Sequence, residues 1–314
     1  MMQNFAINVD ASYTMTNILI SIVGPTAIGK TTLAIKLAQH FNSEIISADS
    51  RQFYKEMNIG TAVPTKEELK AAKHHFIQHK SIEDLYSVGD FEHDAISLIS
   101  TIHKSNSIAI MVGGSGLYEK AVVKGLDYFP KIDATIRTVL NDRLKSEGLK
   151  LLQQQLKSLD PKAHNTIAID NPQRLIRALE ISIGTGKPYS SFLTNTEKIR
   201  NFKTITIGLD AERSIIYDRI NQRVDNMVEC GLLKEAKRLF PYRHLNALNT
   251  VGYKELFNYL EGNYTLEFAI SEIKKNTRRF AKRQLTWFKK DDAIKWFDYK
   301  IDISEVILFI EKQL

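Results

Sequence analysis

Short apolar runs alternate with longer amphipathic stretches over the first third of the chain. Residues 17–23 are almost continuously apolar and stop at a glycine, the pattern of a strand buried on both faces of a parallel sheet. Residues 30–41 then place Leu33, Leu37 and Phe41 on one helical face. Residues 44–48 form a second apolar run ending at Asp49, and residues 107–112 a third that runs into Gly113-Gly114. Between them, residues 60–64 read as loop and 66–76 as a helix. Ser87 reads as the N-cap of a helix over 91–103. Strand, helix, strand, helix, strand in this order predicts an α/β fold with a parallel sheet.

The pattern changes after Leu126. Residues 133–200 carry helical periodicity but no strand, most clearly over 149–159 and 171–183. Asp170-Asn171-Pro172 opens the second of these with a capping residue followed by proline in the first turn. A strand returns at 203–209, followed by helices at 212–229, 232–240, 252–259 and 266–290, a strand at 293–297 and a helix at 304–314. The expected organisation is an α/β core of residues 17–126 and 203–314. A helical insertion, 127–202, interrupts it, and residues 1–16 form a short N-terminal extension.

Composition narrows the class. The chain has 314 residues, 43% hydrophobic and 25% charged, which suits a soluble globular protein able to bury a sizeable core. No run approaches the ~20 apolar residues that span a bilayer, so no membrane association is expected. Residues 1–16 lack the basic and apolar regions of a signal peptide, and a cytoplasmic location is expected. Cys230 is the single cysteine, which excludes an internal disulfide and a cysteine-only metal site; it reads as a helix-packing residue. His74, His75 and His79 lack a carboxylate or cysteine at ligand spacing and read as structural.

The net charge of +7 is concentrated. Between Glu272 and Lys290 lie Lys274, Lys275, Arg278, Arg279, Lys282, Arg283, Lys289 and Lys290, opposed by Glu272 alone. Ile270, Ile273, Thr277, Phe280, Gln284 and Trp287 give the same helix a mostly apolar stripe to bury. The cations off that stripe suit either a solvated face or contacts to RNA phosphates.

Gly24-Pro25-Thr26-Ala27-Ile28-Gly29-Lys30-Thr31 matches the phosphate-loop pattern at every fixed position, directly after a strand and before a helix. The glycines let successive amides curl inward, and the helix N-terminus adds partial positive charge. Lys30 reaches phosphate oxygens, and the Thr31 hydroxyl is placed to bind Mg²⁺. Such a loop binds a polyphosphate, ATP included, without specifying its fate. The 107–112 strand ends in glycines instead of an acid, and no guanine signature is present, so nucleotide hydrolysis lacks its usual companions. Asp49 falls at a strand end, where open α/β sheets bind ligands, and is placed as a base, a metal ligand or a loop cap.

Seven stretches together resemble the tRNA dimethylallyltransferases, also called tRNA isopentenyltransferases, in their bacterial form. They are GPTAIGKT (24–31), ISADSRQFYKEMNIGTA (46–62), GGSGLY (113–118), QRLIRALEI (173–181), DRINQRVDNM (218–227), TVGYKE (250–255) and NTRRFAKRQLTWF (276–288), in the family's order. Three positions depart from the family pattern: Ile28 replaces serine, Ser115 replaces threonine, and Asn249 replaces a basic residue.

The resemblance implies a P-loop NTPase-like core. It also implies transfer of a dimethylallyl group from dimethylallyl diphosphate to N6 of the adenosine 3′-adjacent to the anticodon. The phosphate loop, residues Gly24, Pro25, Thr26, Ala27, Ile28, Gly29, Lys30 and Thr31, would hold the diphosphate with Arg219 and Arg223. These two arginines sit four residues apart on one helix, so they share a face. Asp49, Lys30, Thr31 and Arg223 would be catalytic, with Asp49 as base and Mg²⁺ on Thr31. The tRNA anticodon stem-loop would meet Asp49, Ser50, Arg51 and Gln52, then Ser115 and Arg137. Gln173, Arg174, Leu175, Ile176 and Arg177 would follow, with Val251, Gly252, Tyr253 and Lys254. A monomer is expected. The alternatives are a P-loop small-molecule kinase, an adenylate isopentenyltransferase, or a non-catalytic RNA-binding protein with a vestigial loop.

Overall fold

The computed structural model describes residues 17–194 and 196–314; the extension expected over 1–16 lies outside the described residues. The chain opens with β1 (Ile18–Val23), α1 (Lys30–His40), β2 (Ile45–Ser47), α2 (Lys66–Ala71) and β3 (His74–His75). It continues through α3 (Val88–Ile102), β4 (Ile108–Val112) and α4 (Gly116–Val123). Four helices follow: α5 (Ala134–Glu147), α6 (Leu149–Leu159), α7 (Pro161–Thr166) and α8 (Pro172–Thr185). Then come β5 (Lys203–Asp210), α9 (Arg213–Glu229), α10 (Leu232–Leu239), α11 (Tyr253–Leu260), α12 (Leu266–Phe288), β6 (Lys295–Asp298) and α13 (Ile303–Glu311).

The six strands form one sheet in the order β3-β2-β4-β1-β5-β6, and every pairing is parallel. Parallel sheets need both faces covered, which explains why β1 and β4 read as unbroken apolar runs. Every residue of both strands is buried. One apolar cluster, including Leu37, Ile20 and Ile207, lies between the sheet and α1 with α13. The other, including Phe53, Phe91 and Leu256, holds α3, α10 and α11.

The chain divides into two compact units, of which the smaller is Gly125–Ile199. That unit is all helical among its described residues. Leu140, Leu152, Leu156, Leu175, Ile176 and Leu179 form its core. The sequence placed its edges at 127 and 202. Arg200 belongs instead to the larger unit, where its guanidinium meets Glu92 at 2.8 Å and the Ala121 carbonyl at 2.7 Å.

Three local expectations change. Residues 66–76 are not one helix: α2 stops at Ala71, Ala72 is extended, and His74 and His75 pair with Ile45 and Ile46 at the sheet edge. Cys230 is an exposed C-cap of α9, not a packing residue. On α12 the buried face is Ala269, Ile273, Ala281, Gln284 and Phe288, while Phe280 and Trp287 are 38% and 40% exposed. Small Ala281 fits the layer between α12 and the sheet, and the bulkier Phe280 next to it turns outward.

Candidate active site

Three strands deliver their C-terminal ends to one cavity of about 1360 Å³. β1 opens into the phosphate loop, β2 leads to Asp49, and β4 leads to Gly113 and Gly114; all of these segments line it. The cavity thus lies where a parallel sheet presents its ligand-binding edge.

The phosphate loop starts at Gly24 with φ 141°, a conformation that side chains rarely adopt. A Cβ there would come within 2.5 Å of the Leu209 carbonyl on β5, so glycine alone lets the loop leave the sheet. At the other end Gly29 caps α1 without a side-chain hydrogen bond, and the first turn holds no acid. The first amides of α1 lack intrahelical acceptors, so this end is set up for an anion. Ile28 is buried in the apolar layer beside Leu33 and Ile216, so the departure from serine is met by packing.

Two cations converge here. Lys30 folds back to donate Nζ to the Pro25 carbonyl at 2.7 Å. Burial, then repulsion from Arg223, pushes its pKa down to about 7, with Asp49 working against them. Burial likewise lowers Arg223, opposed by Asp49 and Glu68. Arg223 has no hydrogen-bond partner among the described residues, and an anion would relieve both groups. Arg219 also lines the cavity, yet its Nε donates to the Ala27 carbonyl at 2.8 Å and its guanidinium lies over Tyr299. Arg219 therefore braces the loop, while Arg223 is left for the ligand.

Asp49 combines two of its sequence readings. Its Oδ1 accepts the Arg51 amide at 3.0 Å, a turn that fixes the carboxylate, and the residue lines the cavity. Ser115 on β4's loop accepts the Ser50 amide at 3.3 Å and lies 3.3 Å from the Ser50 hydroxyl. The Arg51 guanidinium donates to the carbonyls of Asn246 and Ala247 at 3.0 and 2.8 Å. Gln52 accepts from the Ser47 hydroxyl and donates to the Thr61 and Ala62 carbonyls. In this structure the side chains of Arg51 and Gln52 brace the Asp49 loop.

Other expected RNA contacts are placed differently. Tyr253 is fully buried, its hydroxyl donating to Glu235 at 2.7 Å, so its side chain is a core residue. Leu175 and Ile176 are fully buried within the helical unit and cannot offer side chains to RNA. A hydrophobic helix face was needed there, and the motif supplies it. Arg137 and Arg177 both pair with Glu180, at 2.7 and 2.9 Å. Gln173 and Arg174 are exposed at the start of α8, where Asn171 caps the first turn. Val251 is half-buried, Gly252 is buried, and Lys254 is exposed.

Sequence reasoning missed two buried polar residues. Gln284 of α12 accepts the Thr26 amide at 2.9 Å and donates to the Gly114 carbonyl at 2.8 Å, tying the phosphate loop to the β4 loop. Its signal was a glutamine inside an otherwise apolar stripe, since buried polar groups need partners. Glu235 of α10 accepts the amides of Asn58, Ile59 and Gly60 as well as the Tyr253 hydroxyl. It holds the cavity wall that Gln52 grips from the other side. An acid facing inward beside Leu232, Ala236 and Leu239 was the available sign.

A phosphate loop, two desolvated cations and a fixed carboxylate in one cavity suit displacement of a diphosphate by a nucleophile that must lose a proton. The family model for IPP transferases matches residues 52–291. The chain belongs to this family of tRNA isopentenyltransferases. It is 61% identical over 300 residues to the tRNA dimethylallyltransferase of Christiangramia forsetii, covering 96% of this chain and 99% of that one. It is 57% identical to that of Flavobacterium johnsoniae, covering 94% and 98%. Among solved structures, the tRNA isopentenylpyrophosphate transferase of Bacillus halodurans superposes with a TM-score of 0.70 at 42% identity, covering 94% of this chain and 96% of that one. A eukaryotic dimethylallyltransferase, solved acting on tRNA, gives 0.76 at 29% identity, covering 92% and 75%. The IPP transferase match takes in Asp49's neighbours from Gln52 onward, Arg219, Arg223 and Gln284, whereas the phosphate loop precedes it.

Proposed function

We infer that the chain transfers a dimethylallyl group from dimethylallyl diphosphate to N6 of the adenosine 3′-adjacent to the tRNA anticodon, releasing diphosphate. The observation that carries this reading is the convergence of Lys30, Arg223 and Asp49 on one cavity at the C-terminal edge of the sheet. At about 1360 Å³ the cavity exceeds the usual size for one small ligand, roughly 300–1,000 Å³, and so has room for a prenyl diphosphate with a nucleoside.

The chemistry follows from the residues. The N6–C1 bond forms as the C1–O bond to diphosphate breaks, and the electron pair leaves with the diphosphate. Lys30, Arg223 and the α1 amides stabilise that growing charge. Asp49 takes the N6 proton, which an exocyclic amine must lose as it attacks. Thr31 lines the cavity and its hydroxyl makes no hydrogen bond among the described residues, a hard oxygen donor that fits Mg²⁺ together with diphosphate oxygens and water. When bound, Mg²⁺ would neutralise diphosphate charge. The adenosine has to leave its stack to enter, which an anticodon loop permits at low cost. The reading carries a monomer acting in the cytoplasm, and no described helix is long and apolar enough to cross a membrane.

Labelled dimethylallyl diphosphate, Mg²⁺ and unmodified tRNA test the reading. Label in RNA at that adenosine is the expected outcome. Transfer to free adenine nucleotides alone identifies an adenylate isopentenyltransferase, and phosphate transfer from ATP without RNA labelling identifies a kinase.

A further inference from the structure

The basic residues of α12 are not equivalent. Lys274 pairs with Asp225 at 2.6 Å, Lys289 with Asp210 at 2.7 Å, and Lys275 with Glu272. Arg278 donates to Asn221 at 2.7 Å, so Lys274 and Arg278, both expected off the buried stripe, are already engaged. Lys282, Arg283 and Lys290 are exposed and meet no acid among the described residues. These three, with Thr286, surround Trp287 in a shallow depression of about 220 Å³.

The indole is held in a set position. Gly116 opens α4 beneath it, and a Cβ there would come within 2.2 Å of Trp287 Cδ1 and 2.3 Å of Nε1. Glycine at this point lets the ring edge dock on backbone, leaving the residue 40% exposed. An exposed tryptophan usually marks a contact, but a ring of unpaired cations excludes an apolar partner. Cations around an exposed ring match a nucleotide, whose base stacks while its phosphate is neutralised. The depression follows Phe280 and Gln284, which line the main cavity, along the same helix.

We propose that Trp287, with Lys282, Arg283 and Lys290, is a second RNA-binding site that stacks one unpaired base of the substrate outside the reacting adenosine. The proposal rests on the reading of the substrate as RNA. Arg283 also lies over the Phe280 ring at 5.8 Å, which places its charge between the depression and the main cavity. Of the chain's two tryptophans, Trp296 packs over Gly208 in the sheet. Trp296→Phe therefore leaves Trp287 as the only indole reporter.

In that background an anticodon stem-loop RNA should quench the fluorescence along its binding isotherm, and a fully paired RNA should not. Trp287→Ala should weaken stem-loop binding about tenfold, the usual scale of one lost base stack. Gly116→Ala should displace the ring and weaken binding without removing a charge. Lys282→Ala and Lys290→Ala should each lower the slope of log affinity against log salt by about 0.7. Pyrophosphate affinity should be unchanged in all four. Stem-loop binding without quenching, and with wild-type affinity in Trp287→Ala and Gly116→Ala, would overturn the site while prenyl transfer stands. Quenching by anionic vesicles or an acidic peptide but not by RNA would overturn it too. Loss of all RNA binding from the unmodified protein, with pyrophosphate still bound, would remove both this site and the assigned substrate.

Discussion

The Gln284 side chain accepts the Thr26 amide at 2.9 Å, so one phosphate-loop N–H is spent on a helix more than 250 residues further along the chain. The same amide group donates to Gly114. The loop's shape therefore depends on α12. Gln284→Leu should orphan both backbone groups, at about 1–3 kcal/mol each, and raise KM for the prenyl diphosphate. Denaturant melts and steady-state kinetics read the two effects. Wild-type KM in a destabilised variant would show that the loop holds its shape unaided.

Lys30 gives a pH signature. With its pKa near 7 in the free protein, it is largely neutral above that pH and charged below it. A bound diphosphate favours the charged form, so binding should take up nearly one proton at pH 8 and almost none at pH 6. Calorimetry in two buffers of different ionisation enthalpy measures this, with Lys30→Arg subtracting the ligand's own protons. The sign for folding runs the same way. The unfolded lysine titrates near 10.4, holds its proton longer, and so this group makes stability rise with pH between about 7 and 10.

Asp49→Asn separates the carboxylate's two tasks. The amide oxygen can still accept the Arg51 N–H, so the turn should survive and diphosphate affinity should stay within a few fold. Loss of the base should lower single-turnover transfer by about 10²–10⁴. Near-normal transfer would reduce Asp49 to a loop cap.

Arg223 and Arg219 share a helix face but not a partner. Arg223→Met should lower kcat by about 10²–10³, the scale of one lost donor to developing charge. Arg219→Ala frees only the Ala27 carbonyl and should act mainly on KM. Equal kcat losses in the two variants would mean that both arginines meet the leaving group.

Glu235 is the acceptor for four donors. Glu235→Ala leaves them buried without an acceptor and should destabilise by about 3 kcal/mol or more, against roughly 1 kcal/mol for Tyr253→Phe. Thermal unfolding of both variants tests the order.

What was legible in the sequence is what depends on local pattern. Unbroken apolar runs mark strands buried on both sides, and a phosphate loop is a continuous stretch whose glycines and lysine work together wherever it is found. Asp49 was legible because a strand end fixes its place. Residues 66–76 misled because a two-residue edge strand carries almost no periodic signal. Tyr253, Leu175 and Ile176 sit inside motifs and looked functional, yet a motif also preserves the packing that supports its polar members.

The sequence by itself determined the sheet, the phosphate loop and the residue types of the chemistry, because these follow from short-range spacing and side-chain character. The tertiary structure alone decided which arginine is free, which cations of α12 are already paired, and that Gln284 holds the loop. Those outcomes depend on partners far apart in the chain, and the energy of a charge or a buried amide is set by what lies across from it.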